Sequence, residues 1–209
     1  GTLNEEALAE VFKVHPYRWS PIGNIPHLRA SSVPELRAFW TSHYTPNNAV
    51  LVIAGAVRHE EAQALAQRYF GWIPRYPDPP RVTIREPMPD QPRTVVFKQD
   101  NAPAPLVGLG YRTAPASNDD LTALQFLGRI LAGGDSSRVY RRLVSEKDLA
   151  VQISWFDWSL EQDGVFVVGA ALHPTSTKYD EALAALEEEV ALLRSTPVTE
   201  RELTKARNQ

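Results

Sequence analysis

The chain has 209 residues, no cysteine, 43% hydrophobic and 22% charged residues, and a formal net charge of −3. Without cysteine there are no disulfides, thiolate metal sites or cysteine nucleophiles, and the slightly acidic balance gives no clustered basic face for nucleic acid. No run of ~18 apolar residues could span a bilayer, and the composition is that of a globular protein of one large or two small domains.

Thr2-Leu3-Asn4-Glu5 reads as a capping box, followed by an apolar stripe of Leu3, Ala7, Leu8, Val11 and Phe12. The segment from His15 through Pro16, Tyr17 and Trp19 to Pro21-Ile22-Gly23 is an aromatic, proline-rich loop. Ser32-Val33-Pro34-Glu35 is a second capping box, whose helix carries Val33, Leu36, Phe39 and Trp40 inward and ends near Tyr44. Pro46 stops that helix, because its ring clashes with the preceding turn and it has no N–H, and Asn47 and Asn48 supply turn chemistry. Ala49 to Val57 then runs without a charge or a hydroxyl, which predicts a central strand buried on both faces. Glu60 to Phe70 is a third helix, with Gly71 in the C′ position.

From Ile73 to Pro92 there are seven prolines, which predicts an extended, semi-rigid connector and the best domain boundary in the chain. Beyond it, Thr94 to Gln99 and Leu106 to Thr113 read as strands, and Asp119 to Leu131 as a helix capped by Ser117 or Asn118 and stopped by Gly133-Gly134. Ser136 or Ser137 caps another helix to about Glu146. Leu149 to Trp158 and Val165 to Leu172 form a hairpin, and helices follow over about Lys178 to Arg194 and from Thr199-Glu200-Arg201-Glu202. The predicted fold class is α+β, with mixed, mostly antiparallel sheets and helices packed on one face, arranged as two half-units.

The residues alone offer little chemistry. His15, His27, His43, His59 and His173 are spread through the chain, and no two share the three- or four-residue spacing that puts two ligands on one helix face. Gly133-Gly134-Asp135-Ser136-Ser137 follows a helix and is no nucleophile elbow. Gly108-Leu109-Gly110 lies in a strand without the third glycine of a dinucleotide fingerprint. Glu187-Glu188-Glu189 reads as a solvated helix face, and Trp155 and Phe156 as residues on opposite faces of a strand. No catalytic or metal-binding residue is assigned from these patterns.

The ordered motifs say more. His15-Pro16-Tyr17, Pro21-Ile22-Gly23, Tyr44-x-Pro46-Asn47-Asn48-Ala49 with Gly55, then Gly133-Gly134, Ser137-Arg138, Arg142-Leu143 and Leu149-Ala150 followed by two strands around Gly164, resemble the pitrilysin/insulinase/mitochondrial-processing-peptidase family over nearly the whole chain. The resemblance implies a slice through a two-unit subunit: residues 1–74 as the later part of the first α+β unit, 75–92 as the linker and 93–209 as the opening of the second. Members of that family are zinc endopeptidases with an inverted H-x-x-E-H motif, two histidine ligands, a glutamate base and a distant glutamate ligand. That motif is absent here, and the family's layout puts it upstream of Gly1. The third ligand also precedes the first helix, so it is not carried onto Glu5, Glu6 or Glu10. The family's substrate-contacting arginine and tyrosine, seven residues apart, fall on Val144 and Val151, which cannot hydrogen-bond a peptide carbonyl.

The expectation is a scaffold piece of a zinc metalloendopeptidase subunit, itself inactive and holding no zinc, with zinc in the parent protein. The expected partners are a peptide substrate, the rest of the same subunit and a homo- or hetero-dimer mate, with neither nucleic acid nor membrane. A non-catalytic assembly subunit of the same family is the rival, and a binding module without peptidase ancestry is the third reading. Both ends look cut from a longer protein, so the compartment stays open, and self-association through uncovered apolar faces is expected.

Overall fold

A computed structural model describes residues 2–209, with side chains from residue 5 onward. The backbone divides into Gly1–Arg93 and Thr94–Gln209, called units 1 and 2 below. The capping box expected at Thr2 and the packing of Leu3 lie outside the described side chains.

Unit 1 holds four helices: α1 (Thr2–Val11), α2 (Ile25–Ala30), α3 (Val33–His43) and α4 (His59–Phe70). The Ser32 box forms as the sequence predicts, with the Glu35 carboxylate accepting from the Ser32 N–H at 2.8 Å and the Glu35 N–H donating to Ser32 Oγ at 3.4 Å. Gly71 ends α4 with right-handed backbone (φ −64°), its N–H bonding the Gln67 carbonyl. Among the described residues, the only buried apolar side chains of unit 1 are Leu8 and Phe12. Phe12 meets Tyr17 edge-on at 5.6 Å and His15 at 6.0 Å, so the aromatic loop folds back onto the end of α1.

Two expectations for unit 1 are overturned. Ala49–Val57 joins no sheet among the described residues, and its side chains are open to solvent, with Val50 89% and Val52 80% exposed. The face of α3 expected inward, with Val33, Leu36, Phe39 and Trp40, is exposed as well. Both have one physical reason. The run is apolar enough for a buried strand, but a strand is buried only by neighbours, and no described strand or helix lies over it.

Unit 2 has a sheet. β1 (Leu106–Thr113), β2 (Ala150–Ser159) and β3 (Gly164–Leu172) form an antiparallel sheet in the order β1-β3-β2. The register runs from Leu106 opposite Ala171 to Thr113 opposite Gly164, and from Ser159 opposite Gly164 to Ala150 opposite Leu172. Along β3 the alternate residues Phe166, Val168, Ala170 and Leu172 are buried, the period of a sheet covered on one face. That face is covered by α5 (Asp120–Ala132), the short α6 (Arg138–Tyr140) with the π turn that continues it (Arg141–Glu146), and α7 (Tyr179–Ser195). The last helix, α8 (Glu200–Asn208), opens with a capping box between Thr199 and Glu202. Trp155 packs toward the core and Phe156 is exposed on the other face, as their adjacency in a strand requires.

The fold class is therefore α+β, with helices on one face of one antiparallel sheet. Mixed sheets in two matching half-units are not what the described residues form. Thr94–Gln99, expected as a strand, also joins no ladder. No described helix is long and apolar enough to cross a membrane.

The proline-rich stretch forms no helix or strand, and its contacts tie it to the rest of unit 1. Tyr76 N–H donates to Asn47 Oδ1 at 3.3 Å, and Asn47 Nδ2 donates to Asp78. Glu86 accepts three successive backbone N–H groups, Lys13 at 2.8 Å on Oε1, and Val14 at 2.9 Å and His15 at 2.8 Å on Oε2. Arg93 donates to the Glu10 carbonyl and lies 3.6 Å from its carboxylate.

Candidate functional site

The stretch from Ser137 to Val151 gathers most of the irregular backbone of unit 2. Val139 and Leu143 are fully buried one turn apart, and they anchor α6 and the π turn to the core. The Lys147 N–H reaches back five residues to the Arg142 carbonyl at 3.2 Å, and the Leu149 N–H reaches the Leu143 carbonyl at 2.8 Å. Asp148 turns the chain with φ of +49°, left-handed backbone that an aspartate tolerates better than most side chains. Strand β2 then starts with a bulge, because the pairing to β3 slips between Ala150 and Gln152 and leaves Val151 as the extra residue. π turns and bulges both re-aim side chains and recur next to functional sites.

The two positions singled out in the sequence sit on these irregularities. Val144 lies in the π turn, half-buried against the core, and Val151 is the bulged residue, 49% exposed. Both are apolar, so their side chains offer no hydrogen bond.

Beside the π turn lies a cleft of about 980 Å³, lined by Arg138, Arg141, Arg142, Glu189, Arg201 and Glu202 among others. Its walls are tied together by ion pairs. Arg138 grips Glu202 of α8 through two bonds of 2.6 and 2.9 Å, and Arg142 bonds Glu188 of α7 at 3.0 Å. Glu189, expected on a solvated face, is instead nearly buried; the hydrogen bond to Glu202 raises the Arg138 pKa against the cost of burial, and the charges of Glu202 and Glu189 add to it. The hydrogen bond from Arg138, backed by the Thr199 cap, holds the Glu202 carboxyl at about 2, below its usual 4.5. A folded-state pKa below the unfolded one means the pair adds stability above pH about 4.5 and loses it as pH falls from there toward 2. Arg138→Ala is expected to cost about 1–2 kcal/mol at pH 7, allowing for solvent screening, and to flatten the acid limb of the stability profile. Urea melts of the variant between pH 7 and pH 2.5 check it; an acid slope as steep as that of the parent chain would count against the pair.

The histidines are scattered in the structure as in the sequence. His15 is 1% exposed, its Nδ1 accepting the Tyr17 N–H at 3.2 Å. His43 stacks on Phe39 at 4.2 Å, His27 lies 5.9 Å from Trp19, and His173 contacts Asp148 at 3.2 Å. Glu10, on α1 with Glu5 and Glu6, bonds Lys13 at 2.7 Å. Among the described residues no three of His, Asp and Glu converge in a way that could hold a metal ion. The donor set therefore does not fit a zinc ion. Sequence reasoning missed the Glu86 and Arg138 contacts, which join residues 64 to 73 positions apart and leave no local signal.

Residues 31–209 match the family model described as the Peptidase M16 inactive domain. The chain belongs to the M16 peptidase family. Among curated relatives, the zinc protease PqqE of Helicobacter pylori is 30% identical over 196 residues, covering 91% of this chain and 43% of that protein. The mitochondrial-processing peptidase subunit beta of Saccharomyces cerevisiae is 32% identical over 91 residues, 43% of this chain and 20% of that protein. The crystal structure of a protease from Helicobacter pylori superposes with a TM-score of 0.84 at 27% identity, over 93% of this chain and 47% of that one. The M16 chain thus spans less than half the length of the curated zinc proteases it matches here. This is the family that the HPY loop, the Tyr44–Ala49 turn and the Gly133–Ala150 block pointed to.

Proposed function

We propose that this M16 chain is the non-catalytic scaffold of a zinc metalloendopeptidase subunit, forming one wall of a peptide-holding chamber while the zinc motif is carried elsewhere in the parent. Residues 1–74 supply the later part of a first α+β unit, 75–92 the connector and 93–209 the opening of a second. The observation that carries the reading is the uncovered apolar surface of unit 1 in a chain that matches less than half of its zinc-protease relatives. Ala49–Val57 and the open face of α3 have the composition of a sheet and its covering helix, and they need strands from the rest of the subunit. In this reading the π turn and bulge of unit 2 face the peptide, with Val144 and Val151 supplying no polar contact.

The test is zinc content after dialysis against trace metal, with a quenched-peptide cleavage assay on the same sample. Sub-stoichiometric zinc and no cleavage are expected. One tightly held zinc per chain with chelator-sensitive cleavage would overturn the reading.

A second reading, an assembly subunit with no peptidase activity in the parent either, draws on the same two valines and on the likeness of fold to a chain of Complex III2 from Candida albicans (TM-score 0.81 at 13% identity). An intact inverted motif in the parent, with cleavage by the whole protein, would decide against it.

A further inference from the structure

We propose that the cleft beside the π turn of unit 2 is a docking site for an acidic peptide segment, whose carboxylates are taken by Arg141 and Arg201. The inference lies wholly within unit 2 and requires no cleavage of the peptide, so it stands apart from the scaffold reading.

The sequence spaces the cations for this. Arg138, Arg141 and Arg142 recur at three- and four-residue intervals, so they share one side of α6 and the π turn, while Val139 and Leu143 hold the other side in the core. Arg201 and Lys205, four residues apart on α8, line the same cleft. In a chain of net charge −3, this one cleft is lined by five cations and three carboxylates.

The carboxylates are already committed. Glu202 is held by Arg138 at 2.6 and 2.9 Å and by the Thr199 N–H at 2.9 Å, Glu146 meets Arg142 at 3.4 Å, and Glu189 is nearly buried. The cations are not all used. Among the described residues Arg141, Arg201 and Lys205 form no ion pair, and Lys205 donates only to the Gly133 carbonyl at 3.4 Å. Arg141 and Arg201 are exposed. The pairs made by Arg138 and Arg142 tie their segment to α8 and α7, so the two free guanidiniums project from a fixed frame. Less freedom is then lost when a ligand docks.

A guanidinium meets a carboxylate or a phosphate with two parallel bonds, and the mixed sign of the cleft chooses between them. Three carboxylates among the lining residues oppose the closely spaced charge of a nucleic acid or a polyphosphate. A peptide instead brings its carboxylates at intervals, with neutral backbone between. Leu192, also on the cleft and 47% exposed, suits an apolar side chain of the same segment. The volume of about 980 Å³ is at the upper end for pockets that hold one small molecule, about 300–1,000 Å³, and takes a few residues of peptide.

The test is fluorescence anisotropy of a labelled short peptide alternating glutamate and leucine, titrated with the whole chain at low salt. Arg141→Ala and Arg201→Ala are each expected to weaken binding about tenfold, and the lysine variants Arg141→Lys and Arg201→Lys to recover part of the loss. Both arginines are exposed and unpaired, so neither variant should move the urea midpoint. Arg207→Ala, exposed on α8 outside the cleft, should leave binding as it was. The same peptide with glutamine in place of glutamate should bind at least about tenfold more weakly, and high salt should weaken the glutamate peptide. Equal binding of the glutamine peptide would show capture by apolar surface and overturn the proposal. So would unchanged binding by both alanine variants, or a loss in Arg207→Ala as large as theirs. Tighter binding of inorganic triphosphate or single-stranded DNA, with the same dependence on Arg141 and Arg201, would make the cleft a polyanion site and overturn the peptide assignment.

Discussion

Valine or leucine at Gly128 is expected to unfold unit 2, or to cost it at least about 3 kcal/mol in a urea melt. Gly128 is the point where α5 rests on β2. A β-carbon there would lie 2.2–2.5 Å from three atoms of the Trp155 ring, Cε3, Cζ3 and Cδ2, well inside contact distance. These atoms belong to the fused ring system, so relief requires the whole indole, or the helix, to move. Alanine is the mildest case: overpacking of about 1–3 kcal/mol set against about 1 kcal/mol of better helix propensity leaves a net loss. The partner substitution gives the sharper result. Trp155→Ala alone opens a void against the core, and adding Gly128→Leu should refill part of it, so that the double variant is more stable than the sum of the two singles predicts. Strict additivity would show that helix and strand do not meet through this pair.

The two units are expected to differ in hydrogen-exchange protection by several orders of magnitude. In the isolated chain, amides of β3 and α5 should exchange only on global unfolding of unit 2, and those of α3 and α4 almost as fast as in an unfolded peptide. Two compact units sharing 23.3 kDa would together expose about 12,000 Å². The chain exposes 15371 Å², and the excess falls largely on unit 1, whose described core is Leu8 and Phe12 beside the buried His15. A helix of eleven or twelve residues is marginal in water without a packed face, however well it is capped. On the proposed scaffold reading, adding the rest of the parent subunit should slow exchange in α3 and over residues 49–57 and leave β3 unchanged. Equal protection of both units in the isolated chain would refute this account.

What could be read in the sequence was what short stretches decide for themselves. The Ser32 and Thr199 boxes formed because cap and acceptor are three residues apart. The hairpin formed because its strands are joined by a turn where the Leu160 N–H closes onto the Asp163 carbonyl at 3.0 Å. Ala49–Val57 shows the limit: an apolar run states what surroundings it requires, not whether they are present. Thr94–Gln99 fails for the same reason. The candidate site was legible only as two positions, Val144 and Val151, through family resemblance. The π turn and the bulge that set their exposure arise from packing of Val139, Leu143 and Leu149 and have no residue signature. The Glu86 cradle was invisible because backbone amides carry no sequence identity.

The order of the strands in the sheet also sets an order in time. β2 and β3 are neighbours in sequence and can zip from their turn on a microsecond scale. β1 reaches β3 only after α5, α6, the π turn and β2 have been placed, since Leu106 pairs with Ala171 across the whole of that excursion. Loop-closure entropy is met before those contacts return anything, so closing β1 onto the hairpin is the slow step in building unit 2. Until it closes, β3 presents its inner edge bare, and its mostly apolar sequence is least protected in that interval.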